Sequence, residues 1–223
     1  MKLFTLPNII TLANLLCGIL GLIALNEGHI QYASVLVLIA LILDFLDGFV
    51  ARLTNSYSEI GKQLDSLADM VSFGVLPSLI LYYLLKDMDF WQYASLLPAL
   101  ASALRLAKFN IDERQSNSFR GLPTPANAMV VASFPFILKL DWFSANGSTV
   151  SYAFITYAVL ISIIMISDIP MFALKFKTFN WKTNRLRYLF LVSSLILLLA
   201  FQYAGIPLVL LLYIGISIFT NKP

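Results

Sequence analysis

Long apolar stretches alternate with short polar ones along most of the chain. This pattern predicts eight membrane helices, at about residues 9–25, 31–53, 60–85, 90–108, 126–140, 151–169, 188–203, and from the turn at 205–207 to about 219. Several are near the roughly 20 residues that a helix needs to cross the hydrocarbon core, and the stretch at 126–140 is the shortest. We therefore predict an all-α polytopic membrane protein.

The composition supports this class and one domain. The chain has 223 residues, of which 59% are hydrophobic and 12% charged, and such a sequence is too apolar for a soluble domain. We expect a single integral membrane domain over 1–223, with accessory C-terminal helices over about 151–219. Cys17 is the only cysteine, so no disulfide can form within the chain. His29 lies in a short polar loop and is expected to be solvated.

The basic residues indicate the orientation in the membrane. Eight spans place both termini on one side, and that side then carries 13 of the 15 Lys and Arg residues, all except Lys86 and Lys139. Because cytoplasmic loops are enriched in Lys and Arg, we expect both termini to face the cytoplasm at the cell membrane.

Carboxylates cluster where the second predicted helix ends and the third begins. Asp44 and Asp47 are three residues apart, and Asp65 and Asp69 are four apart, so each pair lies on one helix face. A short polar turn at 56–58 lets the two pairs face each other. Such oxygen-only clusters suit Mg²⁺, Mn²⁺ or Ca²⁺. Two such ions, about 3.5–4 Å apart, commonly assist displacement at phosphorus.

Small residues accompany these acids on the same two helices. We expect Gly48, Ala51 and Gly61 to let the two backbones approach closely. The acids lie near span ends, whereas transporters usually place such groups near the bilayer midplane. An interfacial enzyme is therefore favoured, and a divalent-cation or proton-coupled transporter is the alternative.

Other polar residues near the predicted cytoplasmic face have two interpretations each. Polar residues recur at every third position at the start of the first predicted helix, namely Asn8, Thr11 and Asn14. They either cap the helix and form polar contacts between helices, or contact a polar ligand. The cations can bind phosphate or carboxylate oxygens, or only fix the topology. These cations are Arg52, Arg105, Lys108 and Arg120. For Arg114 and the basic residues at 175–187 we favour the topological role.

The acidic segment resembles the signature of the CDP-alcohol phosphotransferase family. Its pattern is Asp44-x2-Asp47-Gly48-x2-Ala51-Arg52-x8-Gly61-x3-Asp65-x3-Asp69, with eight fixed positions in 26 residues. The resemblance implies that a phosphatidyl-type group passes from CDP-diacylglycerol to an alcohol and that CMP is released. It also implies Mg²⁺ or Mn²⁺, as two ions held by the four aspartates, with Asp69 as ligand, base or both.

The same resemblance suggests how the substrates bind. It places the CDP-lipid beside Asn8, Thr11, Asn14, Gly48, Ala51, Arg52 and Gly61. Segments 105–110 and 119–125 are similar to the phosphatidylserine synthase branch, although Lys108 stands where arginine is common. That branch implies L-serine as acceptor, with Arg105, Lys108 and Arg120 binding its carboxylate or the donor phosphates.

Partners and alternatives follow from the same family. Sister enzymes that use glycerol 3-phosphate or an inositol phosphate are the alternative, since the same cations would suit those acceptors. We expect membrane lipids as partners and no nucleic acid. A homodimer is expected because it is common in the family.

Overall fold

A computed structural model describes residues 3–111, 120–140, 147–172 and 180–220, although the side chains of 182 and 183 are not described. In these ranges the chain forms α-helices and no β-strand. The helices are α1 (Leu6–Asn26), α2 (Ile30–Leu53), α3 (Glu59–Asp69), α4 (Leu76–Leu84), α5 (Leu97–Ile111), α6 (Thr124–Ile137), α7 (Gly147–Ile166), α8 (Trp181–Phe201) and α9 (Gly205–Thr220). Some residues discussed above have no described side chain. They are Arg114, Phe119, and Lys175, Lys177 and Lys182 of the basic cluster.

Each predicted helix has a helical counterpart at nearly the same place, and the all-α class is confirmed. Five helical ranges are long and apolar enough to cross a membrane. They are Leu6–Asn26, Ile30–Leu53, Glu59–Leu84, Gly147–Ile166 and Asn184–Thr220. The last range contains both α8 and α9, and Thr124–Ile137 is a shorter apolar helix. The count of eight crossings therefore stays a prediction.

Three predicted segments differ from the structure in their local form. The third helix contains a π-helix, Met70–Val75, between α3 and α4. The fourth begins as a 3₁₀-helix, Asp89–Leu96, before α5. The fifth helix, predicted to begin at about residue 126, already begins at Thr124. Proline fits that first helical turn, because no intrahelical partner exists there for the N–H that proline lacks.

The N-terminal helices pack closely through small residues. A Cβ atom added at Gly18 would lie 2.5 Å from Ser72 Oγ, and one added at Gly21 would lie 2.3 Å from Leu76 Cδ2. Glycine therefore allows α1 to pack closely at both positions, since a side chain at Gly18 would clash with Ser72 of the π-helix and one at Gly21 would force the Leu76 side chain of α4 to move. This contact fixes α1 beside the segment that follows the carboxylates.

The core and the periphery of the bundle differ in burial. In the core, Leu76 and Ile80 of α4 and Val130 and Val131 of α6 are essentially inaccessible. By contrast, only 11% of the most apolar window of Asn184–Thr220 is buried. A membrane helix can expose apolar side chains to lipid, so the C-terminal pair is peripheral, and the first seven helices position the site described next.

Loops that are distant in the sequence meet at the end of the bundle that holds the carboxylates. The Lys62 ammonium of α3 donates to the Asn110 carbonyl at the end of α5, at 2.9 Å. Arg120, before α6, forms an isolated antiparallel bridge with Pro170, after α7. These contacts bring the ends of α5 and α7 and the start of α6 together at this end of the bundle.

Candidate active site

Three aspartates converge as the sequence predicts. Asp44 and Asp47 lie on successive turns of α2, and Asp65 lies on α3. One carboxylate oxygen from each falls within 4.8 Å of the other two. Asp47 is only 6% exposed, so the group is partly withdrawn from water.

Asp69 completes the cluster from the last position of α3. It is 8% exposed, and its carboxyl group lies within hydrogen-bonding reach of Asp44. Its Oδ1 atom is buried and has no hydrogen-bond partner among the described residues. The π-helix begins directly after Asp69, so the change in helix winding leaves the Asp65–Asp69 spacing intact. Single π-turns of this kind occur frequently at functional sites.

The donor set fits a hard divalent cation. All of its members are carboxylates, and oxygen ligands suit Mg²⁺, Mn²⁺ or Ca²⁺. Several buried carboxylates in contact are costly unless a cation compensates their charge. The unpartnered Oδ1 of Asp69 is consistent with a ligand position left open for such an ion.

Helix α1 supplies a donor to this cluster. The Thr11 hydroxyl donates to Asp47 Oδ2 at 2.6 Å, and the Pro7 carbonyl lies farther from it, at 3.1 Å. Both side chains of the pair are buried. Hydrogen bonds of this kind fix the orientation of a carboxylate ligand.

A cavity of about 570 Å³ opens beside Asp47 and Asp65 at the ends of α1, α2 and α3. Its lining includes the predicted residues Asn8, Thr11, Gly48, Ala51 and Gly61, together with Pro7, Ser56, Tyr57, Ser58, Glu59, Lys62 and Phe109. We call this space the large cavity. Five of the seven residues predicted to bind the CDP-lipid therefore lie around one space.

The expected close seam between α2 and α3 is wrong. Helix α3 packs mainly against α1, and Asn8 Oδ1 would lie 3.0 Å from a Cβ atom added at Gly61. At Gly48 the nearest atom to an added Cβ is Arg52 Nη1, at 3.8 Å. Gly48 on α2 therefore borders an open space, whereas Gly61 on α3 lies in close contact with α1 and not with α2.

Two predicted contacts lie outside this cavity. Asn14 is fully buried, at 0% exposure, and does not line the large cavity. Arg52 is exposed near the end of α2 and also lies outside the lining. Their contact with a nucleotide stays a prediction.

Seven lining residues were not predicted as site residues, among them Lys62, Tyr57 and Phe109. Lys62 brings a cation into the large cavity, and its position between Gly61 and Asp65 was a usable signal. Tyr57 lies in the polar turn that was noted only as a connection. Phe109 gives no signal, because only the packing of α5 brings it to this end of α3.

Arg105, Lys108 and Arg120 meet at a second, smaller cavity of about 70 Å³. The rest of its lining is Leu104, Met165, Ile166 and Ser167. We call this space the basic cavity. The structure thus brings the three predicted cations together, and their role in substrate binding stays a prediction.

The three cations of the basic cavity differ in their partners. Arg105 is 8% exposed, its Nη1 donates to Thr124 Oγ1 at 3.4 Å, and its Nε has no partner among the described residues. Lys108 forms an ion pair with Asp168 at 2.6 Å. Arg105 therefore keeps donor capacity deep in the protein, whereas the charge of Lys108 is already balanced by a carboxylate.

The carboxylate cluster links the two cavities. The cavities share no lining residue, and Asp47 and Asp65 border the large one. Asp69 is close enough to Arg105 of the basic cavity for their charges to interact. A group bound in the large cavity is thus adjacent to Asp47 and Asp65, and the basic cavity lies within range of charge interaction with Asp69.

Comparison with known proteins agrees with the site. The chain shares 33% identity over 219 residues with the CDP-diacylglycerol–serine O-phosphatidyltransferase of Helicobacter pylori (strain ATCC 700392 / 26695), covering 96% of this chain and 90% of that protein. The enzyme of the same name from Bacillus subtilis (strain 168) is 37% identical over 135 residues, covering 59% and 76% of the two chains. Archaetidylserine synthase of Methanothermobacter thermautotrophicus is 35% identical over 170 residues, covering 74% and 68%.

The family assignment extends along nearly the whole sequence. Residues 4–216 match the family described as CDP-alcohol phosphatidyltransferase. This range includes all four aspartates and the residues of both cavities. The chain is therefore a member of the CDP-alcohol phosphatidyltransferase family.

Proposed function

We propose that this protein transfers the phosphatidyl group of CDP-diacylglycerol to the hydroxyl of L-serine, giving phosphatidylserine and CMP. The observation that carries the proposal is the carboxylate cluster flanked by two cavities of different size and charge. Relatives named for serine as acceptor support the choice of alcohol.

The large cavity is the proposed site of the CDP head group. Its volume of about 570 Å³ falls within the usual range for small-molecule pockets. Asn8 and Thr11 offer polar contacts, and Gly48 and Gly61 leave room for the nucleotide. Lys62 provides a positive charge for the phosphates, and the acyl chains remain in the bilayer.

Asp44, Asp47 and Asp65 are the proposed ligands of Mg²⁺ or Mn²⁺, with Asp69 adjacent and two ions as the expected number. Such ions, when bound, neutralise the donor pyrophosphate and the leaving CMP. The protein contributes the fixed geometry, because α2 and α3 hold the carboxylates and Thr11 orients Asp47.

Asp69 is the proposed general base. The serine oxygen forms a bond to the phosphatidyl phosphorus as the bond from that phosphorus to the CMP oxygen breaks, and Asp69 accepts the hydroxyl proton. A hydroxyl is a weak nucleophile until it loses its proton, so a positioned base is needed. Arg105 and Arg120, with Lys108, are the proposed partners of the serine carboxylate. Charge interaction between Arg105 and Asp69 supports this placement.

The proposal also includes a location and an assembly. We place the protein in the cell membrane as a homodimer, with both termini and the site on the cytoplasmic side. The excess of Lys and Arg on that side supports the orientation.

The test uses purified full-length protein in detergent with CDP-diacylglycerol and Mn²⁺. CMP release is followed with L-serine, glycerol 3-phosphate, an inositol phosphate or no acceptor. Release that depends on serine, with phosphatidylserine as product, supports the proposal. Release that depends only on another alcohol moves the function to a sister enzyme. Metal uptake into sealed vesicles without CMP release would instead support a transporter.

A further inference from the structure

The hydrogen bond from Thr11 to Asp47 fixes the register between α1 and α2. These two helices are joined by a short turn and run antiparallel. One turn onward along α1 leads from Thr11 to Asn14, and one turn back along α2 leads from Asp47 to Asp44. Asn14 therefore lies on α1 at the level of Asp44.

Buried residues farther along the two helices fit this register. The register places Gly18 opposite Ala40 and Leu25 opposite Ala33. All four residues are buried. The interface thus combines small residues opposite one another with a larger residue opposite alanine. Asn14 and Asp44 form the second polar pair of this row, next to Thr11 and Asp47.

Asn14 has an unusual environment for a buried polar side chain. It is 0% exposed, and neither Oδ1 nor Nδ2 has a hydrogen-bond partner among the described residues. Its backbone carbonyl accepts a hydrogen bond from Ser72 Oγ at 3.0 Å, so the main chain is fixed in place. Unpartnered buried amides are rare, and each one requires an explanation.

Asn14 lies one turn deeper than Thr11 and does not line the large cavity. In the register set by Thr11 and Asp47, the residue of α2 at the level of Asn14 is Asp44, whose carboxylate can accept a hydrogen bond. Asp69 Oδ1 is likewise buried and unpartnered, and the Asp69 carboxyl group reaches that of Asp44.

We propose that Asn14 is a positioning residue, whose Nδ2–H donates to the Asp44 carboxylate when that aspartate holds a divalent cation, as Thr11 donates to Asp47. A carboxylate that gives one oxygen to a cation keeps a second oxygen for a hydrogen-bond donor. Two successive turns of α1 would then orient two successive ligands on α2. This inference rests on the proposed metal centre, and it assigns Asn14 to the ligands instead of to the nucleotide.

The experiment measures Mn²⁺ binding directly, without substrate or turnover. Full-length wild type and the variants Asn14→Leu and Asn14→Ala are titrated with Mn²⁺ in detergent, and free Mn²⁺ is followed by electron paramagnetic resonance. Leucine keeps the branched shape of asparagine and alanine cannot overpack the site, so at least one variant is expected to fold. We expect about 10- to 100-fold weaker binding in both, the usual effect of removing a group that orients a metal ligand.

A matched control and a second readout separate positioning from general destabilisation. Ser78→Ala removes another buried, unpartnered polar group, on α4, and is expected to bind Mn²⁺ like wild type. At saturating Mn²⁺, the KM for CDP-diacylglycerol of the Asn14 variants should stay within about twofold of wild type, since the affected group is a metal ligand.

The outcomes distinguish this inference from the proposed function. Wild-type Mn²⁺ affinity in folded Asn14→Leu and Asn14→Ala would overturn the role of Asn14 and leave the metal centre intact. A raised KM for CDP-diacylglycerol with unchanged Mn²⁺ affinity would return Asn14 to the nucleotide site. Absence of Mn²⁺ binding in wild type would overturn the metal centre itself, and the inference with it.

Discussion

The large cavity and the basic cavity differ in how far apart in the sequence their lining residues lie. The large one is formed almost entirely by three consecutive helices, with Phe109 as its only lining residue beyond Asp65 among those described. The basic one combines α5, Arg120 in the segment between α5 and α6, and the end of α7. Residues close in sequence thus form the proposed donor and metal side, whereas distant segments form the proposed acceptor side. A short motif can consequently identify the reaction without specifying the alcohol.

The two cavities also differ in the state of their charged groups. On the metal side, carboxylates lie against one another, and Thr11 is a neutral donor to them. On the basic side, Lys108 already has an acidic partner, whereas Arg105 lies buried with an unpartnered Nε. The first region can therefore hold a divalent cation, and the second is suited to an anionic group. Variants in each region should change different kinetic constants.

The largest effect is expected from Asp65→Asn, on the metal side. Loss of this ligand should weaken Mn²⁺ binding and lower CMP release by at least about a thousandfold, since stabilisation of transition-state charge is the main catalytic contribution of such a site. Both quantities are measured on the purified protein. Asp87→Asn, which changes an exposed aspartate between α4 and α5, is the matched control and should behave as wild type. Normal Mn²⁺ affinity in Asp65→Asn would contradict the ligand assignment.

Asp69→Asn tests the group that links the two cavities. We expect kcat to fall by about 10²- to 10⁴-fold, because a general base is removed, while CDP-diacylglycerol still binds. Single-turnover CMP release and equilibrium binding of the donor lipid measure the two effects separately. Near-normal turnover in Asp69→Asn would contradict the role of Asp69 as general base and leave only its proposed role as a metal ligand.

Arg120→Gln tests the basic side alone. The KM for L-serine should rise roughly 10- to 100-fold, since a hydrogen bond to a charged group is lost, and Mn²⁺ affinity should not change. Lys108→Gln should give a smaller rise, because Lys108 already pairs with Asp168. Lys86→Gln, on an exposed lysine in the turn after α4, is the control. An equal rise in the KM for CDP-diacylglycerol would place these cations on the donor phosphates.

Gly48→Ala should produce the smallest effect and sharpen the view of the large cavity. The added methyl group meets no protein atom closer than 3.8 Å, so folding should be unaffected or slightly improved, by about 0.5–1 kcal/mol. The KM for CDP-diacylglycerol should nevertheless rise several-fold, because the methyl group occupies space proposed for the nucleotide. Thermal unfolding in detergent and donor kinetics test both parts.

Gly21→Ala is the complementary variant for that test. Its Cβ would lie 2.3 Å from Leu76 Cδ2, far from any open space. We expect a lower melting temperature with an unchanged KM for CDP-diacylglycerol in the folded fraction. If both glycine variants changed only the melting temperature, Gly48 would contribute to helix packing and would not line the proposed binding site of CDP-diacylglycerol.

Much of the site could be predicted because helical spacing is regular. Asp44 and Asp47 had to share one face of α2, and a short connection had to bring Asp65 near them. By contrast, no local rule could show that Lys108 would pair with Asp168, 60 residues later, or that Phe109 would reach the large cavity. Those contacts depend on how α5 and α7 pack, and side-chain spacing within one helix carries no information about that packing.

The sequence by itself determined the helical membrane class, the positions of the helices and the carboxylate motif, since apolar length and helix periodicity are local properties. Only the tertiary structure decided that α3 packs on α1 and leaves a cavity beside α2, that the π-helix follows Asp69, and that Asn14 is enclosed at the level of Asp44. The physical reason is that these features arise from contacts between helices, where close approach at Gly18 and Gly21 determines which faces meet.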